Sequence, residues 1–557
     1  MDANATSQSW SEARKPVDKL IAAIEATPLP ANIWSLVEAR VAANSGKTMW
    51  TFFEEERDGV ATYDEVKALV ERTAAALYAA GVRKGSHVAV MLPNIPQFPA
   101  TWLAIARLGA VMVPVKIGYT GRELHYVLTD SQAGFLVIHA DCLPAYAALD
   151  GEAPFTAENV LVVGEAAPGT APKGARRLEP LMREAPALPD GLPQPALDDL
   201  VNIQYTSGTT GFPKGCMLTH RYWLTLSLVA EMRGGQDEAA TNILVAQPYF
   251  YMDPQWLTLM AMRAGGQIFV ARRASSTRFM DWVRKYKIHY CLFAEIVYQN
   301  PEQPDDGDNS LKRVSIFGFD KARHRDFERR YNTIARESFG MTEVGSALFT
   351  PREATHMVGS GTCGIPSPFR EAKIVDADGN EVPAGEVGEL CIRGPGIMLG
   401  YYNKPEANES SYFGDWFRTG DLFWKDEQGF HYIVGRLKDM IRRSGENIAA
   451  REVEAVMREI PGVLEAAAIG IKDPARGEEV KAYLVLQPGT TPDEVTPETV
   501  FEHCRSRLAA FKIPRFLEYR DSLPKTPSEK IAKQKLAAEK PDLRAGSYDR
   551  TVGAWLD

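Results

Sequence analysis

The chain has 557 residues, a formal net charge of -9 at pH 7, 45% hydrophobic residues and 24% charged residues. That length exceeds one core, which rarely grows past about 250–300 residues, so more than one domain is expected. The acidic balance excludes a general nucleic-acid binder, whose phosphate contacts need clustered Lys and Arg, yet suits a local basic site for a small phosphate ligand.

Six cysteines lie far apart with no CxxC pair. This disfavours structural zinc or a disulfide framework and suits a reducing cytoplasm. The first residues carry no apolar signal region, and no apolar run is long enough to span a membrane. A cytoplasmic protein is expected, with room for a homodimer.

In chain order, TYDEVKALVERTAAALYAAG has apolar residues at Val66, Leu69, Val70, Ala74 and Leu77 and a stop at Gly81, which predicts a helix. HVAVMLPN (87–94) reads as a short buried strand. FPATWLAIARLGAVMVPV predicts a helix, a stop at Gly109 and another strand, and FLVIHA and NVLVVG continue the alternation. A largely parallel α/β sheet follows. The Pro, Gly and Ala-rich stretch at roughly 164–198 reads as a surface connection.

YTSGTTGFPKG (205–215) then stands directly behind the alternating DDLVNIQ. Gly, Ser and Thr in such a loop aim backbone N–H groups and hydroxyls at phosphate oxygens, and Lys214 adds a cation. The plain alternative is a flexible surface loop. A Walker A loop fails on spacing, since GTTGFPKG from Gly208 does not fit G-x-x-x-x-G-K-[ST].

Beyond about residue 363 the texture changes. AKIVDADGNEVPAGEVGELCIRG holds two turn signals between strand-like runs, which predicts β-hairpins. A shorter, more charged region begins near GRLKDMIRRSGENI. Its VEAVMREI and FEHCRSRLAAF helices and EAAAIGI and KAYLVLQ strands predict a small α+β domain.

The loop YTSGTTGFPKG resembles the signature loop of the adenylate-forming superfamily, which comprises AMP-forming acyl-CoA synthetases, luciferases and peptide-synthetase adenylation domains. ESFGMTE (337–343) resembles its YGxTE motif, TGD stands at 419–421, GRLKDMIRRSGENIAAREVE (435–454) resembles its hinge segment, and LPKTPSEKI (523–531) its C-terminal lysine loop. Five motifs in order span 205–531. The resemblance implies an α/β fold: a large N-terminal domain of sheets sandwiched by helices plus a β-rich subdomain (1–434), and a small mobile α+β C-terminal domain (435–557), hinged at Lys438.

The resemblance also implies ATP, Mg²⁺ and CoA as cofactor and co-substrates, and a small-molecule carboxylic acid as partner. Thr206, Ser207, Gly208, Thr209, Thr210 and Lys214 would face the β and γ phosphates. Glu343 would hold Mg²⁺ and Thr342 would contact the α-phosphate, where a Thr-Glu pair alone would read as a helix cap. Gly318 and Phe319 would border adenine and acyl group, with Ser338, Phe339, Gly340 and Met341 alongside. Asp421 and Arg436 would hold the ribose, against readings as a turn aspartate and a surface arginine.

Lys530 would bridge the carboxylate and the α-phosphate, although local sequence alone reads it as a solvated lysine. Glu529 stands where the family has glycine, and Phe339 where it has tyrosine. Rotation at Lys438 would remove Lys530 and present Arg442, Gly445 and Glu446 to CoA, with Gly445 allowing close approach of pantetheine. For Arg442 and Arg443 a solvated basic patch is an equal alternative.

AQPYFYMDPQW (246–256) occupies the family's acid-site motif. Tyr249, Phe250, Tyr251, Trp256 and Phe319 would wall a pocket carrying the single acid Asp253, which suits a cationic acyl group. The alternative is an aromatic core with Asp253 capping a helix. This stretch, the short segment before SFGMTE and the run GIKDPARGEEVKAYLVL resemble, more loosely, the crotonobetaine/carnitine–CoA ligase branch.

The expected activity is an ATP-dependent, AMP-forming acid–CoA ligase, since little chain follows LPKTPSEKI to house a carrier domain. A stand-alone ligase loading a separate carrier protein, and an ATP-binding pseudoenzyme suggested by Glu529 and Phe339, remain as alternatives.

Overall fold

Thr62 opens the first predicted helix with a capping box: its Oγ1 accepts from Glu65 N at 3.3 Å, and the Glu65 carboxylate accepts from Thr62 N at 2.8 Å. The helix runs Tyr63–Ala79 and buries Val66, Val70, Ala74 and Leu77. The computed structural model describes residues 3–53, 59–206, 213–232, 240–436, 440–525, 531 and 533–557, and the elements below are those of these residues.

The strand His87–Met91 pairs in parallel with Val111–Pro114 on one side and Phe135–His139 on the other. With both faces covered it reads as an unbroken apolar run rather than an alternating one. This seven-stranded sheet ends with Leu200–Thr206 and its antiparallel partner Lys214–Thr219. A second, nine-stranded sheet has a parallel centre and antiparallel ends, and it includes Ile334–Met341 and Gly345–Phe349. Helices Gln97–Arg107, His220–Met232 and Met252–Arg263 supply a core shared with both sheets.

The 164–198 connection is more ordered than its composition suggests. Arg176–Arg177 adds a short parallel strand beside Val160–Val163, and Leu178–Glu184 is a helix. Leu178, Leu181 and Met182 give that helix an apolar face on the core, a spacing too short to stand out among prolines and glycines.

The predicted hairpin region forms a third sheet of five strands, with Glu371–Val375 antiparallel to Gly388–Arg393. Asp376 shapes the first turn by accepting from Asp378 N and Asn380 N, both at 2.9 Å. His431–Arg436 still belongs to this sheet, so Gly435 and Arg436 pair with the large lobe rather than starting the small one.

From Met440 onward the strands join a fourth sheet, in which Val463–Asp473 and Gly477–Leu486 are antiparallel and Phe516–Tyr519 is parallel to the latter. Helices Ala450–Arg458 and Pro497–Arg505 pack over it through Val453, Val456, Met457, Val500 and Phe501. The result is a large α/β lobe with a β-rich subdomain and a small α+β lobe, as expected. Residues 437–439, which include Lys438, lie outside the described residues.

Candidate active site

The two ends of the glycine-rich segment are antiparallel strand partners. Tyr205 pairs with Gly215 and Thr206 with Lys214. A β-carbon on Gly215 would stand 2.4 Å from Ile203 Cγ2, so the pairing itself demands glycine there. One helix, Gly121–Asp130, braces both stems. The Tyr205 hydroxyl donates to Asp130 at 2.7 Å, and the Tyr126 hydroxyl donates to the Pro213 carbonyl at 2.9 Å. Ser207, Gly208, Thr209 and Thr210 lie outside the described residues.

Thr342 and Glu343 sit in the turn between the antiparallel strands Ile334–Met341 and Gly345–Phe349. A β-carbon on Gly340 would come 2.6 Å from the Gly345 carbonyl, which accounts for that glycine. The buried Glu343 carboxylate accepts from the Tyr401 hydroxyl at 2.9 Å, and its carbonyl accepts from Met398 N at 2.9 Å. The same segment lies against the glycine-loop strand: Leu399 N donates to Met217 O at 2.9 Å and Tyr402 N to Gly215 O at 2.8 Å. The Tyr401 ring also faces Lys214 Nζ at 4.2 Å. Thus 398–402 straps the two motifs together.

Behind the turn, Arg370 is buried and directs its guanidinium at four carbonyls, those of Val344, Phe369, Pro395 and Gly396. Burial lowers its pKa to about 10, and the carbonyls use all its donors.

A cleft of 2660 Å³ collects these groups: Thr206, Lys214, Thr342, Glu343 and Tyr401 line it, as do Gly318, Ser338, Phe339, Gly340 and Met341. Phe319 does not follow Gly318 into it. Gly318 has φ +62, which turns the backbone, and the Phe319 ring packs edge-on against Tyr298 at 5.5 Å and Phe327 at 5.2 Å in the core. Its main-chain N instead donates to Glu337 Oε1 at 2.7 Å. Glu337, which also lines the cleft, has its pKa raised by burial to about 7. Asp421 is fully buried beside the lining residues Thr419 and Gly420, directly opposite Arg436 across two antiparallel strands.

The aromatic motif divides between core and cleft. Tyr249 is fully buried among Phe52 and Phe98, its hydroxyl sharing a 2.9 Å hydrogen bond with Thr258. Phe250 is buried in the same core. Tyr251, Met252, Asp253 and Trp256 do line the cleft. Tyr251, not Asp253, is the helix N-cap residue, and the Asp253 carboxylate accepts from Trp256 Nε1 at 3.0 Å. Burial raises the Asp253 pKa, and the indole bond opposes this only in part.

Across the cleft stands the small lobe's hairpin, Met440–Arg443 paired with Glu446–Ala449. Its two-residue turn, Ser444 at φ +51 and Gly445 at φ +79, has the left-handed backbone that tight hairpins favour. A β-carbon on Gly445 meets nothing within 4 Å, so backbone conformation rather than crowding accounts for this glycine. Arg442, Gly445 and Glu446 all line the cleft. Glu446 accepts from the Tyr251 hydroxyl and lies 3.1 Å from Lys116 Nζ.

Lys530 and the side chain of Arg436 lie outside the described residues. Lys525 and Lys533, on either side of Lys530 in sequence, pair with Glu465 and Glu454 of the small lobe. Motif reading included Glu337 in ESFGMTE without giving it a role and passed over Lys116, Arg370 and Tyr401. Of the last three only Tyr401 has a local signal, in GYYNKPE, and Lys116 and Arg370 come from distant chain segments.

Fold and site together define a two-lobed protein in which the sequence motifs meet along a cleft lined by both lobes. A family model described as AMP-binding enzyme matches residues 37–402, and one described as AMP-binding enzyme C-terminal domain matches 452–530. The chain belongs to the AMP-binding enzyme family. It is 32% identical over 489 residues to the crotonobetaine/carnitine–CoA ligase of Salmonella typhimurium (strain LT2), covering 85% of this chain and 92% of that protein. Its structure resembles the amide bond synthetase of Marinactinospora thermotolerans, with 26% identity, TM-score 0.77, and 91% and 100% of the two chains covered. It also resembles the o-succinylbenzoate CoA synthetase of Bacillus subtilis in complex with its acyl-adenylate intermediate, with 25% identity, TM-score 0.62, and 90% and 97% covered.

Proposed function

We propose that the protein is an ATP-dependent, AMP-forming acid–CoA ligase. One observation carries this reading: Thr206, Lys214, Thr342 and Glu343 from two distant motifs share a cleft with the small lobe's Gly445 and Glu446. A carboxylate oxygen attacks the α-phosphorus of ATP and the bond to pyrophosphate breaks. The thiol sulfur of CoA then attacks the acyl carbon, and AMP leaves with the carbon–oxygen electron pair. The first step depends on positioning and charge neutralisation, for which Lys214, Thr342 and Lys530 are the assigned groups.

Mg²⁺ fits this site. The Glu343 carboxylate shares the cleft with Thr206 and Lys214, and a hard cation suits one carboxylate plus phosphate oxygens. When bound, the ion neutralises phosphate charge. Asp421 and Arg436, opposite one another, are assigned to the ribose. Lys438, between the strands His431–Arg436 and Met440–Arg443 in sequence, is assigned as the hinge, so that Lys530 serves adenylation and the 440–449 hairpin serves thioester formation. The six cysteines are buried thiols, in keeping with a reducing cytoplasm.

The acid is read as one bearing a cationic group. A half-buried carboxylate, Asp253, lines the cleft along with Tyr251 and Trp256, and a carboxylate among aromatic rings attracts cations. The 32% identity to a crotonobetaine/carnitine–CoA ligase supports the same reading.

Incubation with ATP, Mg²⁺, CoA and a panel of acids tests both levels. Pyrophosphate, AMP and a thioester formed without any carrier protein are expected, with betaine-like acids turning over fastest. No pyrophosphate with any acid would favour the pseudoenzyme, and a requirement for carrier protein would favour the other ligase. Faster turnover of fatty or aryl acids would remove the cationic assignment alone.

A further inference from the structure

Lys512 sits at the boundary between the lobes, in the small lobe's short helical turn Ala510–Lys512. Its ammonium lies 2.6 Å from Glu452 Oε1 of its own lobe and 3.0 Å from Glu123 Oε1 of the large lobe. All three side chains are buried, at 3%, 8% and 9% exposure. The Tyr119 ring covers the ammonium at 5.3 Å. Burial pulls the Lys512 pKa down, but the Glu452 and Glu123 carboxylates outweigh it and hold it above the ordinary lysine value. A buried ammonium shared by two carboxylates is held far more firmly than a solvated surface pair.

Glu123 is built for this contact before the small lobe arrives. Its other oxygen, Oε2, accepts from Thr120 N at 3.0 Å and Thr120 Oγ1 at 3.1 Å, closing the capping box of helix Gly121–Asp130. Oε1 is thereby aimed across the boundary. Next to it, Arg122 pairs with Glu459 of the small lobe. In this arrangement the 440–449 hairpin occupies the cleft, through the contacts of Glu446 with Tyr251 and Lys116.

We propose that Glu123 and Lys512 form an interlobe latch that positions the small lobe for thioester formation, an inference resting on the two-arrangement reading above. Rotation at the hinge keeps Lys512 with Glu452, since both move together, and separates it from Glu123. The latch therefore favours the arrangement with the hairpin in the cleft and plays no part in adenylation.

The test is Glu123→Gln in the full-length protein. Glutamine also closes a capping box, so the helix start survives while the charge is lost. Thioester formation from supplied acyl-adenylate and CoA is expected to fall about tenfold or more, the worth of one charge-assisted hydrogen bond. Pyrophosphate release without CoA should stay unchanged or rise, and the melting temperature should move little. Equal loss of both steps, or no loss of either, overturns the latch. Lys530→Ala measured alongside separates the two ideas. If it loses pyrophosphate release alone while Glu123→Gln is silent, only the latch fails; if it loses both steps equally, the two-arrangement reading fails and the latch with it.

Discussion

The Tyr401 hydroxyl donates to the buried Glu343 carboxylate at 2.9 Å while the same ring faces Lys214 Nζ at 4.2 Å. One side chain thus touches a group from each of two motifs more than a hundred residues apart in sequence. Burial and the neighbouring Glu343 charge raise the phenol's pKa, so it remains a donor. Tyr401→Phe keeps the ring and removes the donor. Pyrophosphate release should slow by about 10–100-fold, as for a hydrogen bond to a charged group, while thioester formation from supplied acyl-adenylate changes little. A variant with unaltered pyrophosphate release would show that Glu343 is held in place without this bond.

Lys530→Ala should be selective. Adenylation collapses, because a cation aimed at developing phosphate charge is worth several kcal/mol, about a hundredfold or more in rate. Thioester formation from supplied acyl-adenylate survives. Measuring the two half-reactions separately on one preparation decides the matter.

Glu337 predicts a pH dependence of stability. Burial raises its pKa from 4.5 to about 7, with the hydrogen bond from Phe319 N opposing the shift. Between these values the folded state binds more protons than the unfolded chain. Stability from this group is therefore fully present below pH 4.5, falls as pH rises toward 7, and is level above, a total of roughly 3 kcal/mol. Denaturant unfolding at pH 5, 6, 7 and 8 should show the decline in the wild type and a flatter profile in Glu337→Gln. Equal slopes in the two proteins would mean that Glu337 titrates normally.

Asp253→Asn bears on the acid. Removing the carboxylate should lower turnover of cationic acids about tenfold or more, on the scale of a desolvated charge contact, and leave uncharged acids nearly unchanged. Competition between one cationic and one uncharged acid reads this ratio directly. An unchanged ratio would place the acid's recognition elsewhere in the cleft.

Much was legible in local sequence because some chemistry is local. The helix at 63–79 and the buried strand at 87–91 follow from apolar spacing and a glycine stop within one segment, whereas the Thr62 cap and the 440–449 hairpin came from the structure. The glycine-rich loop and the Thr342–Glu343 motif were recognisable because each matches a family motif in residue type and consecutive order.

What the chain order could not express is which distant side chains share a wall. Tyr249 and Phe319 are aromatic residues in motif positions, yet the turn before helix Met252–Arg263 and the left-handed backbone at Gly318 place their rings in the core. Tyr401, Arg370, Lys116 and the Glu123–Lys512 pair gain their significance only when sheets and lobes pack, since each acts on a group far away along the chain. Residue type and local spacing determined the class of chemistry. Packing in three dimensions decided which groups hold it in place, because hydrogen bonds and charge pairs depend on distance in space, not on separation in sequence.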